Sequence, residues 1–238
     1  MEETNQNILS AQHLAIGYGS HVVARHINFS LGLGTLCAIV GVNGIGKSTL
    51  LRTMGGFQPK LTGNIKLNDE ELDRYSPPDL SRKLSVVLTE QPASKNLTVL
   101  ELIALGRQPY TNWLGTLSIE DKKHIHTALD AFLLNDLKHR KCHELSDGQL
   151  QRVLIARAMA QDTPVILLDE PTTHLDLYHK VQILKLLQRL AHDQQKTIVF
   201  TSHDIELAMH LSMRSLVLLC KLTAVAVPCH LLISINCQ

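Results

Sequence analysis

Residues Gly41–Thr49 read GVNGIGKST, and this stretch decides the fold. Gly41, Gly46, Lys47 and Ser48 satisfy the spacing G-x-x-x-x-G-K-[ST]. Glycine tolerates positive φ, so the backbone from Gly41 through Val42, Asn43, Gly44, Ile45 and Gly46 can turn its N–H groups toward an anion. Lys47 then reaches the outer phosphates of a nucleotide, Ser48 can hold Mg²⁺, and Thr49 closes the stretch. Just upstream, Thr35–Val40 (TLCAIV) is a short apolar run between Gly34 and Gly41 that reads as a buried strand. Ser48–Met54 reads as a helix whose positive end faces the anion.

Further along, Val165–Leu168 is wholly apolar and ends in Asp169 and Glu170. A buried parallel strand delivers its last residues to the crevice where ligands of open α/β sheets bind. Asp169 is placed to hold Mg²⁺ through water, and Glu170, one residue further out, to polarise an attacking water as general base. Between the two stretches lies Leu145–Arg152, LSDGQLQR. Ser146 followed by Gln149 makes a capping box, and Gly148 leaves the first turn open, giving a second helix start suited to an anion.

The remaining chain supports an α/β fold. Ile8–Ile16 and Val22–Leu31 read as two antiparallel strands about a turn at Gly17, Gly19 and Ser20. Leu61–Leu67 and Leu84–Leu88 read as further strands. From about Pro92 to Ile155 the pattern turns helical. Thr98 with Glu101 and Ser118 with Asp121 open helices, and Ile125, Ala128, Leu129, Phe132 and Leu133 recur at helical spacing. After Pro164, strands and helices alternate: VILLD, a helix over Leu177–Asp193, TIVFTSH, and a helix near Ile205–Leu211. Such alternation implies a mainly parallel sheet with helices on its faces.

Composition narrows the function. The 238 residues carry 23 Lys plus Arg against 22 Asp plus Glu, and only 4% are aromatic. Neither a basic surface nor a base-stacking platform is available, so nucleic acid is not an expected partner. Five cysteines without a CxxC pair fit reduced thiols better than a disulfide framework or zinc site. The start, MEETNQNILS, lacks the basic and apolar regions of a secretory signal. Ser215–Ile235 is apolar, but Lys221, Pro228 and His230 interrupt it as a membrane span.

The order GVNGIGKST, LSDGQLQR, VILLDEPTTHLD, TSHD resembles the ATP-binding subunits of ABC transporters over about residues 8 to 215. The resemblance implies a P-loop NTPase (RecA-like) core over 1–91 and 156–238 with an antiparallel β subdomain. It also implies an inserted helical subdomain over 92–155. It implies that two copies close head to tail on two ATP molecules. Ser146, Gly148 and Gln149 of one copy then face the ATP held by Lys47 of the other, whose Mg²⁺ is held by Ser48 and Asp169. By the same resemblance His203 contacts the γ-phosphate, Asp176 lines the dimer interface, and Tyr18 stacks on adenine. Glu90 and Gln91 share the position of a glutamine that binds Mg²⁺-associated water and touches the membrane subunit; either can fill it. Asp147 stands where the signature usually has glycine.

The run LTVLELIALGRQPYTNW (Thr98, Val99, Glu101, Leu102, Gly106, Arg107 and Pro109) resembles importers of iron–siderophore, haem and cobalamin complexes. The implied partners are integral membrane permeases and, indirectly, a substrate-binding protein, with the subunit peripheral on the cytoplasmic face of the membrane. Neither tandem cassettes nor a long coiled-coil insertion is present, which disfavours the ABC ATPases of translation or DNA repair. Residues 220–238 depart from the family pattern. They lack an acidic-Gly turn, which suggests an aberrant C-terminus, such as one left by a reading-frame change. The expected activity is ATP hydrolysis coupled to import, and the alternative that such an end raises is a nucleotide-binding subunit of low or no activity.

Overall fold

The computed structural model describes residues 7–89, 96–173, 175–211, 214–220 and 232–237. β1 (Asn7–Tyr18) and β2 (His21–Gly32) form a hairpin closed by Gly19 and Ser20, with Gly19 at φ +56° as the tight turn requires. β3 (Leu36–Val40) is buried at every position and runs into the loop before α1 (Lys47–Met54). β4 (Thr62–Leu67) pairs antiparallel with β1 and with the short β5 (Glu70–Glu71). The short α2 (Pro77–Ser81) precedes β6 (Leu84–Val87).

The helical part follows as α3 (Val99–Ala104), a 3-10 segment over Leu105–Tyr110, α4 (Ile119–Ala131) and α5 (Asp147–Ala160). Each of these α-helices opens with the capping box read from the sequence: Thr98 with Glu101, Ser118 with Asp121, Ser146 with Gln149. The chain then alternates through β7 (Val165–Leu168), α6 (Leu177–Asp193), β8 (Thr197–Ser202), α7 (Ile205–Leu211), β9 (Arg214–Cys220) and β10 (Leu232–Cys237).

Two sheets result. One is antiparallel in the order β2-β1-β4-β5; the other is parallel in the order β10-β9-β3-β8-β7-β6. The central strands are covered on both faces, which is why they read as continuous apolar runs. Leu36, Ala38 and Val40 of β3 face a core shared with α3 to α6, whereas Cys37 and Ile39 face the antiparallel sheet and α1. α5 runs unbroken across the 155/156 boundary expected between helical part and core.

Register brings the functional loops together. Val40 pairs with Ser202, and Leu168 with Phe200, so β3, β7 and β8 end side by side. The stretches that follow them therefore open onto one edge of the sheet. The expected strand at Leu216–Leu219 is present as β9, but β10 lies parallel to it, in the register Leu232 to Ser215 and Cys237 to Cys220.

A buried ion pair lies within the helical part, and its arginine also reaches the core by donating to the Ala160 carbonyl at 2.8 Å. Arg107 and Asp121 side chains are 5% and 4% exposed, and Arg107 Nε donates to Asp121 Oδ1 at 2.8 Å. Burial pushes the Asp121 carboxyl up, but hydrogen bonds from Ser118 and the Arg107 guanidinium outweigh it and hold the carboxyl below its ordinary value. The folded value is the depressed one. Its contribution to stability is therefore complete above the unfolded carboxylate's pKa of about 4 and is lost as pH falls through the folded value. Thermal unfolding followed below about pH 5 should show a steeper acid decline for the natural chain than for Asp121→Asn; equal slopes would refute this.

Candidate nucleotide-binding site

The loop after β3 depends on its glycines. Gly46 has φ +106°, and a Cβ there would lie 2.4 Å from Val23 Cγ1, so both conformation and space demand glycine. Lys47 is 4% exposed. Its ammonium donates to the carbonyls of Gly41 at 2.9 Å and Val42 at 3.1 Å, so it is folded onto the loop it was expected to serve. Tyr18 stands beside the loop, half-exposed, with its hydroxyl 3.3 Å from Thr49 Oγ1.

The carboxylate at the end of β7 is built in. Asp169 is 4% exposed, and its Oδ1 accepts from Ser48 Oγ at 3.0 Å and Thr201 Oγ1 at 2.8 Å. Glu170 follows at φ +48°, a conformation that non-glycine residues adopt at some cost and that recurs at functional sites. Its N–H donates to Thr201 Oγ1 at 2.7 Å, and its Oε2 accepts from Thr173 Oγ1 at 2.8 Å. His203 Nδ1 lies 3.9 Å from the same Oε2. Register and loop geometry thus gather Tyr18, Lys47, Ser48, Asp169, Glu170 and His203.

Thr201 was not singled out from the sequence, yet it joins the two acids by donating to one and accepting from the backbone of the other. The available signal was a hydroxyl in the otherwise apolar strand TIVFTS. Thr201→Val removes both bonds of a fully buried hydroxyl and should cost about 1–3 kcal/mol in chemical denaturation, with slower turnover. An unchanged unfolding midpoint would contradict this role.

The start of α5 is a separate feature. Ser146 Oγ accepts from Gln149 N at 3.3 Å, and Gln149 Oε1 accepts from Ser146 N at 3.1 Å. A Cβ on Gly148 would meet Leu175 Cδ2 at 3.4 Å, ordinary van der Waals contact. The chain's own packing therefore does not require glycine there. Among the described residues, no hydrogen bond or ion pair joins Ser146, Gly148 or Gln149 to the phosphate loop. Asp176 caps α6, accepting from His179 N and facing His179 Nδ1, both at 2.9 Å. These bonds hold its carboxyl below the ordinary value. Glu90 and Gln91 lie outside the described residues.

The residues present fit Mg²⁺. Asp169 is buried against neutral hydroxyls only, without a cation paired to it among the described residues. Among those residues no group of three or more His, Cys, Asp and Glu could cage a metal ion. A hard cation here would thus complete its shell with phosphate oxygens and water, as Mg²⁺ does in nucleotide sites.

Within this chain the residues of the run Thr98–Pro109 have packing and capping roles. Thr98 and Glu101 form the α3 cap, while Val99 and Leu102 are core residues. A Cβ on Gly106 would lie 2.3 Å from Arg157 O, so glycine lets this segment press on α5. Arg107 forms the buried ion pair.

A strand, glycine loop and helix beside a strand-end carboxylate on a parallel sheet define a P-loop nucleotide hydrolase. The ABC transporter family model matches residues 24–173, and the chain belongs to that family. It is 39% identical to an iron(3+)-hydroxamate import ATP-binding protein of Bacillus subtilis, over 87% of this chain and 77% of that one. It is 34% identical to a ferric enterobactin transport ATP-binding protein of Escherichia coli, over 84% and 74%. A dimeric ATP-binding cassette solved in a post-hydrolysis state with ADP and Pi aligns with TM-score 0.75 and 27% identity, covering 88% of this chain and 94% of that one.

Proposed function

We propose that this chain is the ATP-hydrolysing subunit of an importer of iron–siderophore or related metal-chelate complexes, peripheral on the cytoplasmic face of the membrane. The observation that carries the hydrolytic reading is the Ser48–Asp169–Thr201 cluster, with Glu170 and His203 one step outward. The importer reading rests on relatives named for iron(3+)-hydroxamate and ferric enterobactin transport.

In this reading the backbone from Gly41 to Gly46 and the Lys47 ammonium bind the phosphates of ATP, and Tyr18 offers its ring to adenine. Ser48 and Asp169 would hold Mg²⁺, with the Glu90–Gln91 pair supplying a further contact. Bound Mg²⁺ neutralises charge on the phosphoryl oxygens. Glu170 takes a proton from the attacking water at its carboxylate, and His203 contacts the γ-phosphate. Lys47 releases the carbonyls of Gly41 and Val42 when it turns to the phosphates. Ser146, Gly148 and Gln149 of a second copy close the site, and Asp176 lines the interface between copies. Translocation in this reading is the work of partner permeases; no helix among the described residues is long and apolar enough to cross a membrane.

A cleft of about 670 Å³ between α1, α2, β6 and α5 suits a permease segment. Phe57, 63% exposed, stands in it. Phe57→Asp should abolish co-purification with the permease while ATP binding by the isolated subunit stays unchanged. Retained complex would place docking elsewhere. For the cargo, a strain lacking the gene should lose uptake of a radiolabelled ferric siderophore. Normal uptake of ferric hydroxamates, ferric catecholates, haem and cobalamin would sink the assignment.

A further inference from the structure

A second groove, of about 290 Å³, lies between the end of α4, the start of α5 and the outer face of α6. Its floor is apolar, with Phe132, Ile183 and Leu186. Its rim is cationic, with Arg152, Lys185 and Arg189, and it contains no Asp or Glu. None of the three cations is paired with a carboxylate among the described residues; Arg152 Nη1 donates only to the carbonyl of Phe132, at 3.3 Å. The remaining ionisable group, His179, faces Asp176.

The lip of the groove carries strain. α4 ends in a Schellman turn, with Leu134 N donating to Leu129 O at 2.9 Å and Leu133 N to Asp130 O at 3.1 Å. The left-handed residue of such a turn is usually glycine. Here it is Leu133, at φ +52° and 79% exposed, holding a large apolar side chain at the groove's edge. Neither core burial nor the turn itself accounts for a leucine at that position.

We propose that this groove binds a small amphipathic anion, an anionic head group held by Arg152, Lys185 and Arg189 with a short apolar body on the Phe132 floor. The volume suits one free small molecule rather than a helical peptide. The inner wall includes Gly148, so an occupant would link the first turn of α5 to α6.

Octyl phosphate, titrated by calorimetry into the full chain with saturating ADP to fill the phosphate loop, tests this. Saturable one-to-one binding is expected, with octanol, inorganic phosphate and octyltrimethylammonium each at least tenfold weaker. Lys185 and Arg189 are exposed, so Lys185→Glu/Arg189→Glu should fold normally, keep ADP affinity and lose at least tenfold in octyl phosphate affinity. Leu133→Gly should weaken binding while raising thermal stability. No binding, equal binding by the cationic amphiphile, undiminished binding by the double variant, or binding only to anionic phospholipid vesicles would each overturn the proposal.

Discussion

Glu170→Gln is expected to slow ATP hydrolysis by about 10²–10⁴-fold while leaving ATP binding intact. The substitution is nearly isosteric. The Glu170 N–H bond to Thr201 Oγ1 is a backbone bond and survives. The Thr173 hydroxyl, which donates to Glu170 Oε2 at 2.8 Å, can donate equally to an amide oxygen. What disappears is the basic carboxylate, positioned at the sheet edge by a left-handed backbone at φ +48°. Because ATP still binds and is not consumed, the variant should accumulate as an ATP-dependent dimer in size-exclusion chromatography, where the natural chain does not. Phosphate release within tenfold of the natural rate would place the general base elsewhere. If instead the natural chain shows no hydrolysis even with its permease, the subunit is inactive and the tail becomes the leading explanation.

Arg107→Met should destabilise the chain by about 3–5 kcal/mol, because it leaves Asp121 buried without its cation. That is a large part of the 5–15 kcal/mol that typically holds a domain folded. More than one contact is lost. Arg107 Nη1 also donates to the carbonyls of Ala160 at 2.8 Å and Gln161 at 3.3 Å, closing the C-terminal end of α5. The guanidinium stacks over Tyr110 with its carbon 3.9 Å from the ring centroid. Gln161 in turn donates to the carbonyls of Ser81 at 2.6 Å and Leu84 at 3.3 Å, reaching β6. Urea denaturation gives the free-energy change directly. The double variant Arg107→Met/Asp121→Leu should recover most of the loss, since two apolar groups leave no buried charge. A loss below about 1 kcal/mol would mean that water reaches Asp121 in the folded state.

The phosphate loop, the strand-end acids and the three capping boxes were legible because each is local. A glycine spacing, a hydroxyl three residues before an acid or amide, or an apolar run ending in carboxylates carries its own physics within a few residues. Thr201 was not legible, because its role depends on β8 lying beside β7 in one register, and register is a long-range property. The run Thr98–Pro109 was legible as a pattern shared with siderophore-type importers, but the packing role of its residues was not. Only packing shows Arg107 buried against Asp121 and Gly106 pressed on α5. The parallel placement of β10 was likewise beyond reach, since an apolar strand carries no local mark of its partner's direction.

Gly41–Thr49 was enough to point to phosphate binding on an α/β scaffold, since loop, charge and helix start sit in one continuous stretch. Tertiary structure alone decided what surrounds that loop. It turned Lys47 onto the carbonyls of Gly41 and Val42, and it brought Asp169 to Ser48 across 121 residues of chain. It also left the Ser146 helix start without a hydrogen bond to the loop among the described residues. The physical reason is separation along the chain: short-range conformational preferences are written residue by residue, whereas a site shared by three strands exists only once the sheet has fixed their order and register.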